Sequence, residues 1–298
     1  MEWQEAMEEF KQYLKLERGF STNSVISYTF DVQRLVETLQ SPAPSPSSIN
    51  TLEVQSCLYE LSKTHSPRTQ ARMISGLRHF FQFLILNGQR NDNPLDLMES
   101  PRLGRKLPST LSTAQIDAMI QAIDLNEYGG LRNNAMVEVL YSCGLRVSEL
   151  IALRLSDLFF KEDFIKILGK GNKERLVPIP QYAQDQINNY IKRARNLQPI
   201  KKGFEDFLFL NNRGSTLTRS MVFEIVKVLA TKANIKQKVS PHVFRHSFAT
   251  HLLENGADLR SIQMMLGHES ITTTEIYMHL DKTHLREQLI KHHPRSRA

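Results

Sequence analysis

Cysteine is scarce in this chain: Cys57 and Cys143 are its only two, and neither is part of a CxxC pair. We therefore expect neither a disulfide framework nor a cysteine-rich zinc site, and a reducing cytoplasm is the natural setting. No apolar run approaches the roughly 18 residues that a membrane-spanning helix needs. The first ten residues, MEWQEAMEEF, are acidic and amphipathic, so no signal peptide is expected either.

Several catalytic signatures are also missing. The sequence has no GxxxxGK[ST] loop for nucleotide phosphates, no HExxH pair for zinc, and no carboxylate cluster of the kind a metal-dependent nuclease uses. Positive charge is in excess, with 38 Lys and Arg against 31 Asp and Glu, a formal net charge of +7. This excess suits a polyanionic partner such as nucleic acid, although many basic proteins bind none.

The first hundred residues carry the apolar spacing of helices. Two early segments repeat at helical intervals, with Ser21 and Thr22 as capping residues between them. The proline-rich stretch 41–48 cannot continue a helix and predicts an exposed connector. A third helix is predicted from about Thr51 to Leu61, and a fourth from about Pro67 to Leu86.

The predicted fourth helix has two different faces. Residues 61–90 include five basic and no acidic side chains. We predict that the polar face contacts DNA, because Arg binds phosphates or guanine edges while Gln hydrogen-bonds to bases. The alternative is an ordinary solvated face with a chance positive bias. The apolar stripe consists of Ala71, Ile74, Leu77, Phe81, Leu84 and Ile85. The predicted DNA contacts are Arg68, Arg72, His79 and Gln82.

The segment 93–108 has the composition of an interdomain linker. It combines prolines and a glycine with three basic residues, Arg102, Arg105 and Lys106, which we also expect to contact DNA. The sequence thus predicts an N-terminal helical domain over 1–92, a basic linker over 93–108 and a second domain over 109–298.

The second domain has a mixed pattern. A helix is predicted from Ser112, two more over 134–141 and 149–155 around a break at Gly144, and further helices through Leu289. Short strands are predicted over 164–168 and 175–180, on either side of the polar turn 169–174. The fold class is therefore mainly α, with a four-helix first domain and a small β-sheet in the mostly helical second domain.

Two of the chemically suggestive motifs lie in the first half of this domain. In CGLRVSELI, Arg146 and Glu149 are three residues apart at a helix start, which on its own is typical of a surface ion pair. Lys170 stands between two glycines at the predicted hairpin tip, where it has freedom to move into and out of a site. Exposed lysines at such tips are common.

Two further motifs lie near the C-terminal end of the domain. In SPHVFRHSFATH, His242 and Arg245 share one face of a helix that begins after Ser-Pro. His246 and His251 lack the carboxylate or third histidine of a zinc site, so none is predicted. In MLGHESITTTEIY, Gly267 is a helix end and the threonines start the next helix, which puts His268 and Tyr277 on successive helix ends.

Taken together, two Arg, one Lys, two His and one Tyr are what metal-free phosphoryl transfer requires. Planar guanidinium groups match the nonbridging oxygens of a phosphate, which gather charge in the transition state. A tyrosine phenol has a pKa near 10 and needs a base or strong positive surroundings before it attacks. The departing 5′-oxygen needs a proton from a general acid such as Lys.

This constellation resembles the tyrosine recombinase (phage integrase) family, and more narrowly its Xer subgroup. The motifs are GLRVSEL, GKGNKER, SPHVFRHSFATHLL and MLGHESITTTEIY. The likeness covers nearly the whole chain, without a departure at any catalytic position. The ending HHPRSRA and the motif spacing favour an XerD-like over an XerC-like member.

The resemblance implies a role for each residue. Arg146 and Arg245 would clamp the scissile phosphate, and Glu149 would hold the site in shape. Lys170 would protonate the leaving oxygen, His242 would assist as a base, and His268 would hydrogen-bond a phosphate oxygen. Tyr277 would attack the phosphate and form a 3′-phosphotyrosyl bond, with neither ATP nor a metal as cofactor.

It also implies an architecture and partners. The two domains would form a C-shaped clamp on double-stranded DNA at a dif-like site, with a paralogous Xer recombinase in a heterotetramer and a septal DNA translocase. The apolar stripe Leu280, Leu285, Leu289 and Ile290 would dock on a neighbouring protomer; the alternative is packing on its own domain. A mobile-element integrase and a non-catalytic DNA-binding protein remain the other readings of the sequence.

Overall fold

The computed structural model describes residues 1–39, 41–101, 109–169, 173–267 and 280–296. In these ranges the chain is mostly helical with one three-stranded antiparallel sheet, as the sequence predicts. It divides into two compact units, Met1–Lys106 and Leu107–Ala298. The predicted functional residues outside the described ranges are Arg102, Arg105, Lys106, Lys170, His268 and Tyr277.

In its described residues, the first unit consists of four helices around an aromatic core. Ser21 caps α2 by accepting a hydrogen bond from the backbone of Ser24, and Ser66 with Pro67 starts α4, so the predicted helix starts are confirmed. The helices are α1 (Trp3–Leu16), α2 (Thr22–Thr38), α3 (Thr51–Ser62) and α4 (Pro67–Leu86). The buried aromatic residues are Trp3, Phe10, Phe80, Phe81 and Phe83.

Helix α4 has the predicted bounds but a wider buried face than the predicted stripe. Met73, Phe80 and Phe83 are fully or almost fully buried, whereas Ala71 and Ile85 are only half-buried. The physical reason is that α4 packs against both α1 and α2, so its apolar surface is broader than a single stripe. The connector 41–48 is not helical, as predicted, although it is not exposed throughout because Pro46 is buried.

The second unit surrounds a central helix. Helix α6 is buried along almost its whole length and packs against α8 and α10, and for this reason it shows no polar face. Ser112 starts α5, as the sequence predicts, and it forms a capping box with Gln115. The helices in the described part of this unit are α5 (Thr113–Gln121), α6 (Gly130–Ser142), α7 (Val147–Ala152), α8 (Gln181–Arg193), α9 (Arg219–Lys232), α10 (Pro241–Glu254), α11 (Leu259–Leu266) and α12 (Leu280–His292).

The sheet has the order β1–β2–β3 and is antiparallel throughout. The strands are β1 (Leu158–Phe159), β2 (Phe164–Leu168) and β3 (Glu174–Pro178). Strands β2 and β3 are the predicted pair, whereas β1 is too short to leave a periodic pattern in the sequence. The last described bond of the β2–β3 hairpin is donated by the Gly169 backbone to the Lys173 carbonyl at 2.8 Å. The predicted position of Lys170 at the hairpin tip lies outside the described residues.

Helix α12 packs on its own unit in this structure. Leu285 and Leu289 are buried against residues of α10 and α11, while Ile290 is exposed. Just after the helix, Arg295 lies 2.7 Å from an Asp117 carboxylate oxygen and 3.2 Å from Glu138 Oε1. The predicted docking of this segment on a neighbouring protomer stays a prediction for the DNA-bound assembly. None of the described helices combines the length and apolar character that a membrane span requires.

Candidate active site

The site is organised around Glu149 at the start of α7. The backbone turns at Gly144 with φ of 59°, and Arg146 then takes the N-cap position of the helix. Glu149 accepts hydrogen bonds from the backbone nitrogen and from Nη1 of Arg146, both at 2.8 Å. The side chain of Glu149 is 3% exposed and that of Arg146 is 35% exposed. The pair is therefore not the surface ion pair that the spacing alone favours.

A third residue, Arg175 on β3, completes this arrangement. Its Nη1 and Nη2 donate to the two carboxylate oxygens of Glu149 at 2.9 Å each, a bidentate pairing. Its Nε donates to the carbonyl of Met265 at 2.9 Å. No function was predicted for Arg175 from the sequence, although it belongs to the GKGNKER segment. Its partners lie 26 and 90 residues away, beyond the reach of a local pattern.

Arg245 reaches the same carboxylate from α10. Its Nη1 donates to the carbonyl of Gly144 at 2.9 Å and lies 3.9 Å from Glu149 Oε2, and its Nη2 donates to the carbonyl of Leu266. His242 lies one turn earlier on the same helix and is exposed. The predicted helix that begins after Ser-Pro is confirmed, and it holds these two residues three positions apart.

Burial and charge shape the ionisation of these groups. Burial alone would raise the pKa of Glu149, but the hydrogen bonds and charge of Arg175 and the hydrogen bonds of Arg146 bring it below its usual value. Burial and the nearby Arg146 lower the pKa of Arg245 to about 10. His242 is exposed only in part, and the loss of water around its ring, together with the charges of His246 and the two arginines, lowers its pKa. At neutral pH the site therefore holds three guanidinium cations around one carboxylate, next to an uncharged imidazole.

The C-terminal end of α11 is part of the same arrangement. The last carbonyls of a helix have no partner within it, and here those of Met265 and Leu266 accept from Arg175 and Arg245. Gly267 ends the helix in the left-handed conformation, with φ of 66°. A Cβ on Gly267 would lie only 3.0 to 3.2 Å from Cδ, Nε and Cζ of Arg175. The next residue in the chain is His268, where the undescribed segment with Tyr277 begins in sequence.

The predicted DNA-contacting residues of the first unit lie on α4 in different environments. Arg68 and Gln82 are exposed. Arg72 is half-buried and pairs with the fully buried carboxylate of Asp31 on α2. His79 is half-buried, and its Nδ1 bonds to the carbonyl of Ser75 at 2.8 Å, which leaves Nε2 as the ring nitrogen for an outside partner.

The remaining histidines of the SPHVFRHSFATH motif have no shared ligand geometry. His246 is exposed, whereas His251 is buried and its Nδ1 lies 2.8 Å from the hydroxyl of Tyr141. Over residues 1–39, 41–101, 109–169, 173–267 and 280–296, no group of three His, Cys, Asp or Glu side chains is placed to hold a metal ion.

The second unit thus gathers three arginines around one buried carboxylate beside a helix end, and its sequence matches the phage integrase family model. That model matches residues 109–284, and the model of the N-terminal SAM-like domain of phage integrases matches residues 7–88. The chain therefore belongs to the phage integrase family, the tyrosine recombinases.

Within that family the chain is XerD-like. It is 41% identical to the tyrosine recombinase XerD of Oceanobacillus iheyensis, over 98% of this chain and 99% of that protein. It is 38% identical to XerD of Staphylococcus aureus, over 97% and 99% of the two chains. Among solved structures it is similar to the XerH site-specific recombinase bound to a palindromic difH substrate in a post-cleavage complex. That similarity has a TM-score of 0.70 at 25% identity and covers 94% of this chain and 83% of the other. The sequence-based assignment to a site-specific DNA recombinase is thereby confirmed.

Proposed function

We propose that this recombinase cuts and rejoins DNA through a covalent bond between Tyr277 and the scissile phosphate. The Tyr277 oxygen forms a new bond to phosphorus while the bond from phosphorus to the 5′-oxygen breaks, leaving a 3′-phosphotyrosyl strand and a free 5′-hydroxyl. Attack by a 5′-hydroxyl of another strand reverses the step and releases the tyrosine. One phosphoester replaces another, so the bond energy is kept and neither ATP nor a metal ion is needed for the chemistry.

Arg146 and Arg245 bind the nonbridging oxygens of the scissile phosphate in this proposal. The observation that carries it is that the two arginines meet at one buried carboxylate. Arg245 also bonds to the end of α11, which directly precedes His268 in sequence. Their planar donors suit a phosphate, and a largely desolvated setting strengthens the interaction as charge develops. Glu149 fixes the orientation of the guanidinium groups without contacting DNA.

Proton transfer is assigned to the remaining residues of the set. His242 is uncharged at neutral pH because its pKa is lowered, so it is able to accept the proton of the Tyr277 phenol as a general base. Lys170 donates a proton to the leaving 5′-oxygen, and His268 hydrogen-bonds to a phosphate oxygen. Tyr277 thus becomes a competent nucleophile despite the ordinary phenol pKa near 10.

The first unit and the linker supply the rest of the DNA contact. We propose that Arg68, Arg72, His79 and Gln82 of α4 contact the duplex at the target site. Arg102, Arg105 and Lys106 of the linker contact its phosphates. Binding that depends on several phosphate contacts falls steeply with salt concentration.

The biological reaction that we propose is the resolution of chromosome dimers at a dif-like site during cell division, in the cytoplasm. The similarity to XerD proteins and to XerH on a difH substrate supports it. Recombination of two duplexes requires a cut in every strand, which suits a tetramer of this chain with a paralogous Xer recombinase, joined by docking of the C-terminal segment between protomers. A septal DNA translocase is the proposed activating partner.

Covalent capture on a nicked duplex tests the chemistry. The duplex carries a candidate dif-like site, and the nick lets the short 5′-hydroxyl fragment diffuse away, so that the cleaved strand stays attached to the protein in detergent. We expect an adduct with the wild type and with the matched variant Tyr128→Phe, and none with Tyr277→Phe. Tyr128 is an exposed tyrosine of the same unit whose hydroxyl bonds to Gln198 at 3.1 Å.

The other outcomes are equally informative. An adduct that persists in Tyr277→Phe refutes the assignment of the nucleophile. Specific binding without an adduct, even with the paralogue added, favours a non-catalytic DNA-binding protein. Capture on transposon ends but not on chromosomal sites favours a mobile-element integrase.

A further inference from the structure

Arg175 has contacts that the proposed chemistry does not use. Its side chain is 14% exposed and bridges three elements: it lies on β3, pairs with both carboxylate oxygens of Glu149, and donates to the Met265 carbonyl of α11. Gly267 packs against it so closely that a Cβ there would lie 3.0 Å from its Cδ. A surface salt bridge has none of these features. Both the guanidinium group and the aliphatic part of the Arg175 side chain are therefore held in place.

The pairing of Arg175 determines how much of Arg146 is available for DNA. Arg175 donates a hydrogen bond to each carboxylate oxygen of Glu149. Arg146 donates to the same carboxylate only from its backbone nitrogen and from Nη1. Among the described residues, Nε and Nη2 of Arg146 have no hydrogen-bond partner, and its side chain is 35% exposed. Without Arg175, Arg146 would be the one described residue whose side chain donates a hydrogen bond to Glu149. The freed carboxylate oxygen would then draw the Arg146 guanidinium into a bidentate pair.

We propose that Arg175 is a positioning residue of the recombinase. It neutralises and fixes Glu149, so that Arg146 stays available for the scissile phosphate, and it fastens the end of α11 from which the segment with Tyr277 departs. This inference rests on the proposed function, in which Arg146 binds that phosphate. Lysine is not an equivalent side chain, because a single ammonium lacks the planar fork that bonds both carboxylate oxygens and a carbonyl at once.

A double-variant experiment separates this role from a merely structural one. The experiment measures the rate of adduct formation on the nicked duplex in a single turnover, per folded molecule and at saturating protein. It compares the wild type with Arg175→Met, Glu149→Gln and the double variant. We expect Arg175→Met to slow adduct formation by about 100-fold, the size of effect that a misplaced catalytic group produces. The double variant should recover about tenfold, because the neutral Gln no longer competes for Arg146. Arg175→Lys should lie between the wild type and Arg175→Met.

The matched control is Arg195→Met. Arg195 is a buried arginine of the same unit that donates to the carbonyl of Phe207 at 2.9 Å from Nη2 and 3.0 Å from Nε, away from the site. Its variant should lose stability but form the adduct at the wild-type rate per folded molecule. If Arg175→Met cleaves at the wild-type rate, or if the double variant is no faster than Arg175→Met, the inference is wrong. If Arg175→Met does not fold, Arg175→Lys and the double variant carry the test. A wild type that forms no adduct would contradict the proposed function instead, which separates the two failures.

Discussion

Replacement of Gly144 by alanine should damage the second unit more than any ordinary glycine substitution. Gly144 has a positive φ, and a Cβ there would lie 2.5 Å from Cδ1 and 2.9 Å from Cε1 of Phe248. Phe248 is fully buried in the cluster formed by α10, α11 and α12, so its ring has no free space to enter. The Gly144 carbonyl also accepts the hydrogen bond of Arg245.

The expected loss of stability is the sum of two separate free-energy costs. A left-handed backbone costs a residue with a Cβ about 1–2 kcal/mol, and overpacking of a close-packed core costs about 1–3 kcal/mol. We therefore expect Gly144→Ala to lower the free energy of unfolding of the second unit by about 2–5 kcal/mol. Adduct formation should also decrease in the molecules that remain folded, because the anchor of Arg245 moves.

Urea unfolding with two probes measures the effect. Trp3 is the only tryptophan and is buried in the first unit, so its fluorescence reports that unit and should not change. Far-UV circular dichroism follows both units and should show an earlier transition. Gly203→Ala is the control, since Gly203 has φ of 89° and an added Cβ there would meet nothing within 4 Å, and it should cost only about 1–2 kcal/mol. If Gly144→Ala costs no more than Gly203→Ala, the steric argument is refuted.

Two further predictions concern buried carboxylates. Burial raises the pKa of Glu138, although the charge of Arg295 opposes this shift. The pKa of Glu138 is therefore higher in the folded protein than in the unfolded chain. As the pH rises from the ordinary pKa of a Glu through this raised pKa, the contribution of Glu138 to the free energy of unfolding declines. Glu138→Gln should make the free energy of unfolding, measured with urea from pH 5 to pH 8, less dependent on pH. A pH dependence equal to that of the wild type would contradict this prediction. Asp31 holds Arg72, so Asp31→Asn and Arg72→Ala should weaken DNA binding non-additively in gel shifts, whereas Arg68→Ala should add independently to either. Full additivity of Asp31→Asn and Arg72→Ala would show that Asp31 does not orient Arg72.

The elements with strong local signals were the ones predicted most accurately. Ser66-Pro67 starts α4, which runs to Leu86 as predicted, because a capping residue followed by proline and a long apolar repeat are properties of consecutive residues. The β2–β3 hairpin followed in the same way from two apolar runs around a glycine-rich turn. The grouping of Arg146, Glu149 and Arg245 was predicted from motif resemblance rather than from periodicity.

The parts of the site that the sequence did not predict depend on contacts between residues that are far apart in the chain. Arg175 binds Glu149 across 26 residues and Met265 across 90, so its importance appears only once the chain is folded. Likewise, the spacing of Arg146 and Glu149 favoured an exposed pair, but α10 and β3 cover the carboxylate and leave it 3% exposed. The packing of α12 on its own unit was the alternative that the sequence left open.

The double attachment of Arg245 affects how its variants should be interpreted. One guanidinium group bonds to the Gly144 carbonyl that precedes α7 and to the Leu266 carbonyl at the end of α11, two chain segments that are 122 residues apart in sequence (266 − 144). Arg245→Ala would therefore remove a phosphate ligand and also unfasten two backbone ends in a single change. The loss of rate in such a variant is an upper limit on the transition-state stabilisation by this cation, not a measure of it. Only the part of the loss that is restored when a soluble guanidinium compound fills the vacated space belongs to the charge itself.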